Sequence, residues 1–179
     1  MRTLVLGGVR SGKSRYAEAL AQAQSAPVLL LATATAGDAE MARRIEAHRA
    51  RRPAQWAVLE EPLSLAAALS NAAAPNRLIL VDCLTLWLTN LFCLDDAQRL
   101  HSEVGRLVET WPTLPGEVVA VSNEVGMGIM PINELARRFA DVAGELHQAL
   151  AASSERVVSV VAGIPVIVKD SSAVADRSP

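Results

Sequence analysis

What this sequence lacks narrows its function first. Its 179 residues carry 17 Lys and Arg against 19 Asp and Glu, a formal net charge of −2, and its pI is about 5.9. No global field is present to hold a polyanion such as DNA or to coat a membrane surface, so nucleic acid is not an expected partner. There are two cysteines, Cys83 and Cys93, each in an apolar neighbourhood with no histidine or second cysteine at metal-ligand spacing; both are expected to be reduced core residues. Asp82 interrupts the longest apolar stretch, Leu78 to Leu88, well short of the roughly 20 residues a membrane helix needs, so no span is expected. Met1 to Leu6 turn into glycines after a few apolar residues and offer no cleavage site, and the expected location is the cytoplasm. An Asn-Lys-x-Asp guanine motif is missing too, which argues against a GTP-dependent switch.

What is present is an apolar chain, 51% hydrophobic, of a size that suits one core. Short Val-, Leu- and Ile-rich runs recur at Thr3 to Leu6, Val28 to Ala32, Leu78 to Val81, Val118 to Val121 and Val157 to Val161. Such runs predict strands buried on both faces, as in a parallel sheet. Between them lie helical stripes: Ala97, Leu100, Val104, Leu107 and Val108, then Ile132, Leu135, Ala136, Phe139, Val142, Ala143, Leu146 and Leu150, with Pro131 placed for a first helical turn. Ala72 to Asn76 and Trp111 to Gly116 read as loops before strands. Strand and helix in alternation predict an α/β fold with a mostly parallel sheet and helices on both faces. A single domain is expected over residues 1–169, with 170–179 as a flexible tail.

The sharpest motif is Gly7-Gly8-Val9-Arg10-Ser11-Gly12-Lys13-Ser14, which matches GxxxxGK followed by Ser or Thr. It follows the first strand and opens an alanine-rich helical segment, Arg15 to Gln24, the context such a phosphate cradle requires. Backbone N–H groups and the helix N-terminus converge there on phosphate oxygens. Lys13 is expected on the β and γ phosphates, and the Ser14 hydroxyl on Mg2+. Asp82, at the end of an apolar strand, is read as the second acidic group for that metal or as a cap for the next helix, and both roles can hold together.

Between Glu40 and Arg52 stand Arg43, Arg44, Arg49, Arg51 and Arg52 around a single histidine, His48. Glu40 and Arg44 at i,i+4 spacing fit a solvated helix face. The same guanidiniums fit a triphosphate site, in which a neutral imidazole could attack an α-phosphorus and expel pyrophosphate. His101 and His147 fall within helical stripes and read as surface or packing residues.

Several segments together resemble one family. These are Gly7 to Arg15, Glu40-Met41-Ala42-Arg43-Arg44-Ile45 to His48, Arg52-Pro53-Ala54-Gln55-Trp56, Val81-Asp82-Cys83-Leu84-Thr85, Ser122-Asn123-Glu124-Val125-Gly126-Met127-Gly128-Ile129-Met130-Pro131 and Leu135-Ala136-Arg137-Arg138-Phe139. The sequence resembles the bifunctional adenosylcobinamide kinase and adenosylcobinamide-phosphate guanylyltransferase family up to Lys169. The resemblance implies a RecA-like P-loop fold, a homotrimer and a corrinoid substrate. It implies transfer of the γ-phosphoryl of ATP or GTP to the aminopropanol hydroxyl of adenosylcobinamide, then guanylylation of His48 by GTP and delivery of GMP to give adenosylcobinamide-GDP. It further implies GTP contacts from Gly7 to Ser14, from Thr33, Ala34 and Thr35, from Arg49, Ala50, Arg51 and Arg52, and from Glu60 and Asp82. Glu60 would meet the guanine edge or hold the histidine segment. One departure is His147-Gln148, where the family commonly shows Asn-Gln. With so few aromatics, a macrocycle would lie on aliphatic surface or between subunits.

Overall fold

The computed structural model describes residues 1–35, 43, 46 and 53–171. Its strands are β1 (Arg2–Gly7), β2 (Val28–Ala32), β3 (Ala57–Glu60), β4 (Leu78–Asp82), β5 (Glu117–Asn123), β6 (Arg156–Val161) and β7 (Ile164–Asp170). Its helices are α1 (Lys13–Gln22), α2 (Leu65–Ala72), α3 (Leu84–Cys93), α4 (Ala97–Thr110) and α5 (Glu134–Ser153), with a 3-10 turn at Trp111–Thr113. The strands form one sheet in the order β3-β2-β4-β5-β1-β6-β7. Every neighbouring pair is parallel except β6 with β7. The α/β architecture expected from the apolar runs is the one observed.

Alternation along the strands divides the core in two. Leu4, Leu31, Ile79, Val81, Val118 and Ala120 face one side, where they pack against α2, α3, α4 and α5. Val5, Leu30, Leu78, Leu80, Val119 and Val121 face the other, against Ala17 and Ala21 of α1 and against Trp56. Both faces of the central strands are therefore apolar, which is why they read as continuous hydrophobic runs. The largest side chains are fixed by single polar bonds: Trp87 Nε1 donates to Leu63 O at 2.7 Å, and Trp111 Nε1 donates to Ser154 Oγ at 2.9 Å.

Several elements differ from expectation. β3 and β7 are edge strands whose residues lie mostly in the open, so neither is marked by burial, and Pro165 within β7 is tolerated at an edge. α2 was unmarked among alanines, whereas α3 carries Leu84, Trp87, Leu88 and Leu91 at helical spacing, a signal hidden by the apolar strand just before it. The long helix starts not at Pro131 but at Glu134, because Asn133 Oδ1 accepts the Ala136 N–H at 3.1 Å and makes the stronger start. Ile132, 98% exposed, and Leu135 thus drop out of the buried stripe. Asp170 belongs to β7, and the Ser171 N–H bonds Glu155 O at 2.9 Å, so the strand runs past residue 169; residues 172–179 of the expected tail lie outside the described residues. No helix among the described residues is long and apolar enough to cross a membrane.

The cysteines also separate. Cys83 is buried, but Cys93 is exposed at the end of α3, because the helix turns its apolar stripe away from it. Burial, reinforced by the Asp82 carboxylate, pushes the Cys83 thiol up to about 11, which leaves about one thiolate in a thousand at pH 8. Iodoacetamide at pH 8 is expected to modify Cys93 alone in the native protein and both thiols in denaturant, as read by mass spectrometry of the two peptides.

Candidate active site at the carboxyl edge of the sheet

β1 and β5 are neighbours, with Gly7 opposite Asn123. β1 leads into α1 on one face, and β5 leads toward α5 on the other. Chains that part in this way open a crevice beyond the carboxyl ends of the two strands, the position where open α/β sheets bind ligands. Gly7 to Ser14 occupy one side of it.

Two glycines make that turn possible. Gly12 takes φ +99°, a left-handed conformation that a side chain would strain. At Gly7 a Cβ would stand 2.6 Å from Val160 O, so β1 could not pass β6 so closely with any other residue. The Ser11 N–H bonds Gly8 O at 3.2 Å, and the Gly163 N–H, from the β6–β7 turn, bonds Ser11 O at 2.7 Å. Gly8, Val9 and Arg10 remain exposed, while the first amides of α1, including those of Lys13 and Ser14, have no helical acceptor. Lys13 Nζ donates to Gly8 O at 3.2 Å and so lies folded over the loop. Burial lowers its pKa, opposed by Cys83 and the carboxylate of Asp82.

The other expected contacts are spread along the same edge. Ala32, Asp82 and Glu60 end three neighbouring strands in register. Asp82 is two strand spacings from β1, about 10 Å, and Glu60 is four, about 19 Å; the Asp82 carboxylate acts on Lys13 by raising its pKa against burial, whereas Glu60 sits at the far end on an exposed strand. Thr33 faces inward. Its hydroxyl donates to Cys83 O at 2.7 Å and accepts the Cys83 N–H at 2.9 Å, and its own N–H bonds Asp82 O at 3.1 Å. Thr33 thereby fixes the end of β4 that carries Asp82. Ala34 is half-buried and Thr35 is exposed, with its hydroxyl on Asn90 Oδ1 at 3.2 Å. His48, Arg49, Ala50, Arg51 and Arg52 lie outside the described residues, as does Arg44; Arg43 is helical and exposed. Among the described residues no three His, Cys, Asp or Glu side chains could hold a metal together.

The sequence singles out the Asn123 to Gly128 stretch but names no individual site residue in a polar chain on the β5 side of the crevice. Thr85 Oγ1 accepts the Asn123 N–H at 2.7 Å and lies 3.2 Å from Ser122 Oγ, which is 2.7 Å from Nε2 of His147. The ring Nδ1 stands 4.0 Å from Glu124 Oε2. His147 is buried, so the packing role expected of it holds, but it packs through polar atoms. The Ser122 to Pro131 motif marks this side in the sequence, whereas Thr85 and His147 come from elements that no spacing along the chain joins to it.

The chain matches the family described as cobinamide kinase / cobinamide phosphate guanyltransferase over residues 3–168. It is 57% identical over 169 residues to the bifunctional adenosylcobalamin biosynthesis protein CobP of Pseudomonas aeruginosa, covering 94% of this chain and 98% of that protein. It is 42% identical over 182 residues to the bifunctional adenosylcobalamin biosynthesis protein CobU of Escherichia coli, covering 94% and 100%. Among solved structures, an ATPase of a bacterial type III secretion system aligns with TM-score 0.56 at 15% identity, over 88% of this chain and 51% of that one. The RadB recombinase aligns with TM-score 0.51 at 14% identity, over 88% and 73%. These two likenesses speak for the fold alone, that of RecA-like P-loop NTPases.

The role of Thr33 can be tested apart from any ligand. Thr33→Val would strip a buried N–H and C=O of their partners and is expected to cost about 1–3 kcal/mol in denaturant unfolding, with weaker nucleotide binding as Asp82 loses its support.

Proposed function

Because the chain belongs to the cobinamide kinase / cobinamide phosphate guanyltransferase family, we propose that it phosphorylates adenosylcobinamide with ATP or GTP and then attaches GMP from GTP to the new phosphate. One observation carries this reading at the level of residues: the phosphate cradle, the Lys13 coupled to Asp82, and the point at Thr35 where the chain departs toward His48 all lie on one edge of the sheet.

In the first reaction Gly7 to Ser14 wrap the triphosphate, and Lys13 draws charge from the β and γ oxygens as the terminal phosphoryl leaves. Ser14 in the cradle and Asp82 at the end of β4 are hard oxygen donors on the same edge of the sheet, a donor type that suits Mg2+, which takes one or two protein oxygens and completes its shell with phosphate and water. That ion would neutralise charge on the transferred phosphoryl. In the second reaction the His48 imidazole attacks the α-phosphorus of GTP and pyrophosphate leaves. The phosphate oxygen of adenosylcobinamide phosphate then displaces the imidazole and yields adenosylcobinamide-GDP. Arg49, Ala50, Arg51, Arg52 and Glu60, with Ala34 and Thr35, are assigned to GTP beyond the cradle, with Thr33 holding the end of β4 behind them, and the strand spacing between Glu60 and Gly7 gives these contacts a place apart from the cradle. A homotrimer fits the apolar residues left open on β3 and β7, among them Val58, Ile164, Ile167 and Val168.

Incubation with α-labelled GTP tests the second half. A label stable to base and labile to acid is expected on the wild type and absent from His48→Ala; an unlabelled wild-type protein would reduce the enzyme to a kinase. Lys13→Ala is expected to weaken triphosphate binding in both reactions by roughly 10- to 100-fold, the worth of one charge-assisted contact of about 1.5–3 kcal/mol, measured by titration with each nucleotide.

A further inference from the structure

The kinase half of the reading above leaves one proton without a destination, since the attacking hydroxyl must lose it. Four acidic side chains among the described residues stand at or just past the carboxyl ends of β3, β4 and β5: Glu60, Glu61, Asp82 and Glu124. Glu61 is committed to α2, where its Oε1 accepts the Leu63 and Ser64 N–H groups at 2.9 and 2.8 Å. Glu60 ends the strand farthest from β1 on that side, and Asp82 is assigned to the metal. Glu124 follows β5, the strand beside β1, and its own N–H donates to Gly7 O at 3.0 Å. It is thus tied to the first residue of the phosphate cradle.

Its carboxylate is held from two sides. Oε1 accepts the Gly126 N–H at 2.7 Å, and Oε2 faces His147 Nδ1. Behind it Thr85 Oγ1 accepts the Asn123 N–H and lies 3.2 Å from Ser122 Oγ, which lies 2.7 Å from His147 Nε2. With Ser122 donating to Nε2, the neutral imidazole carries its proton on Nδ1, facing Glu124. Burial lowers the His147 pKa, against the opposing pull of Glu124, so the ring stays neutral and leaves the carboxylate free to take up a proton. Beside it, Asn123 Oδ1 is buried with no hydrogen-bond partner, a polar atom left over where a ligand would supply one.

We infer that Glu124 is the base of the phosphoryl transfer and that His147, acting with Ser122, is its positioning residue; this rests on the kinase reading. The acceptor O–H bond breaks and its proton passes to a Glu124 carboxylate oxygen. The acceptor oxygen bonds the γ-phosphorus, and the bond from that phosphorus to the bridging oxygen breaks, with its electron pair leaving on the nucleoside diphosphate. Glu124 then returns the proton to water.

The test measures adenosylcobinamide-dependent phosphoryl transfer and, on the same full-length preparations, self-labelling by α-labelled GTP without acceptor. Glu124→Gln is expected to lower kcat of the kinase by about 10²- to 10⁴-fold, with KM for the nucleotide and self-labelling unchanged. His147→Leu is expected to lower kcat about 10-fold, in the range of outer-shell partners, with the same two quantities unchanged. A Glu124→Gln enzyme within threefold of wild type, or one that loses self-labelling along with kinase activity, would overturn the proposal. A wild-type chain that labels itself yet shows no corrinoid-dependent phosphorylation would overturn the kinase reading, and this assignment with it.

Discussion

A sheet covered on both faces cannot hold charge in its interior, and everything else in this structure follows from that exclusion. The central strands satisfy their backbones along parallel ladders and fill both sides with aliphatic side chains. Polar chemistry is thereby expelled to the strand ends. At the carboxyl end of β1 the chain turns through glycines into α1, at that of β4 it stops on Asp82, and at that of β5 on Asn123 and Glu124. Among the polar groups that do enter, Thr33, Ser122, His147 and Ser154 are bonded where they are buried.

The same exclusion explains what could be read from the sequence. Strands buried on both faces leave runs of Val, Leu and Ile that can be found by inspection, and the cradle announces itself by its glycines and Lys13. Edge strands leave no such mark: nothing in Ala57-Val58-Leu59-Glu60 distinguishes a strand from a loop, since none of it is buried. Pro131 was a fair start signal that a better one, the Asn133 cap, superseded. At the site, Lys13 and Asp82 stand out in the sequence because each residue type has few uses in its position. Thr33 was named for contact with nucleotide, whereas its polar atoms are spent on Cys83 and Asp82. Thr85, Ser122 and His147 escaped because they act as a set drawn from a helix, a strand and a second helix, and no spacing along the chain records that meeting.

Two transfers on one chain call for a division of space, and the assignments proposed above divide it along the strand order. Gly7, Asn123 and Asp82 end three adjacent strands, while Glu60 lies at the outer margin of the sheet. A nucleotide's phosphates and its base could address different parts of this edge, with the segment that bears His48 leaving between them, after Thr35. Family membership says that both activities reside in such a chain.

The bond from the Gly163 amide to Ser11 O couples two regions that otherwise have little in common. Gly163 sits in the turn of the antiparallel pair β6 and β7, at the margin where Ile164 to Val168 present an apolar edge to the outside. The turn that closes this apolar rim is therefore also a support of the phosphate cradle, through one backbone bond.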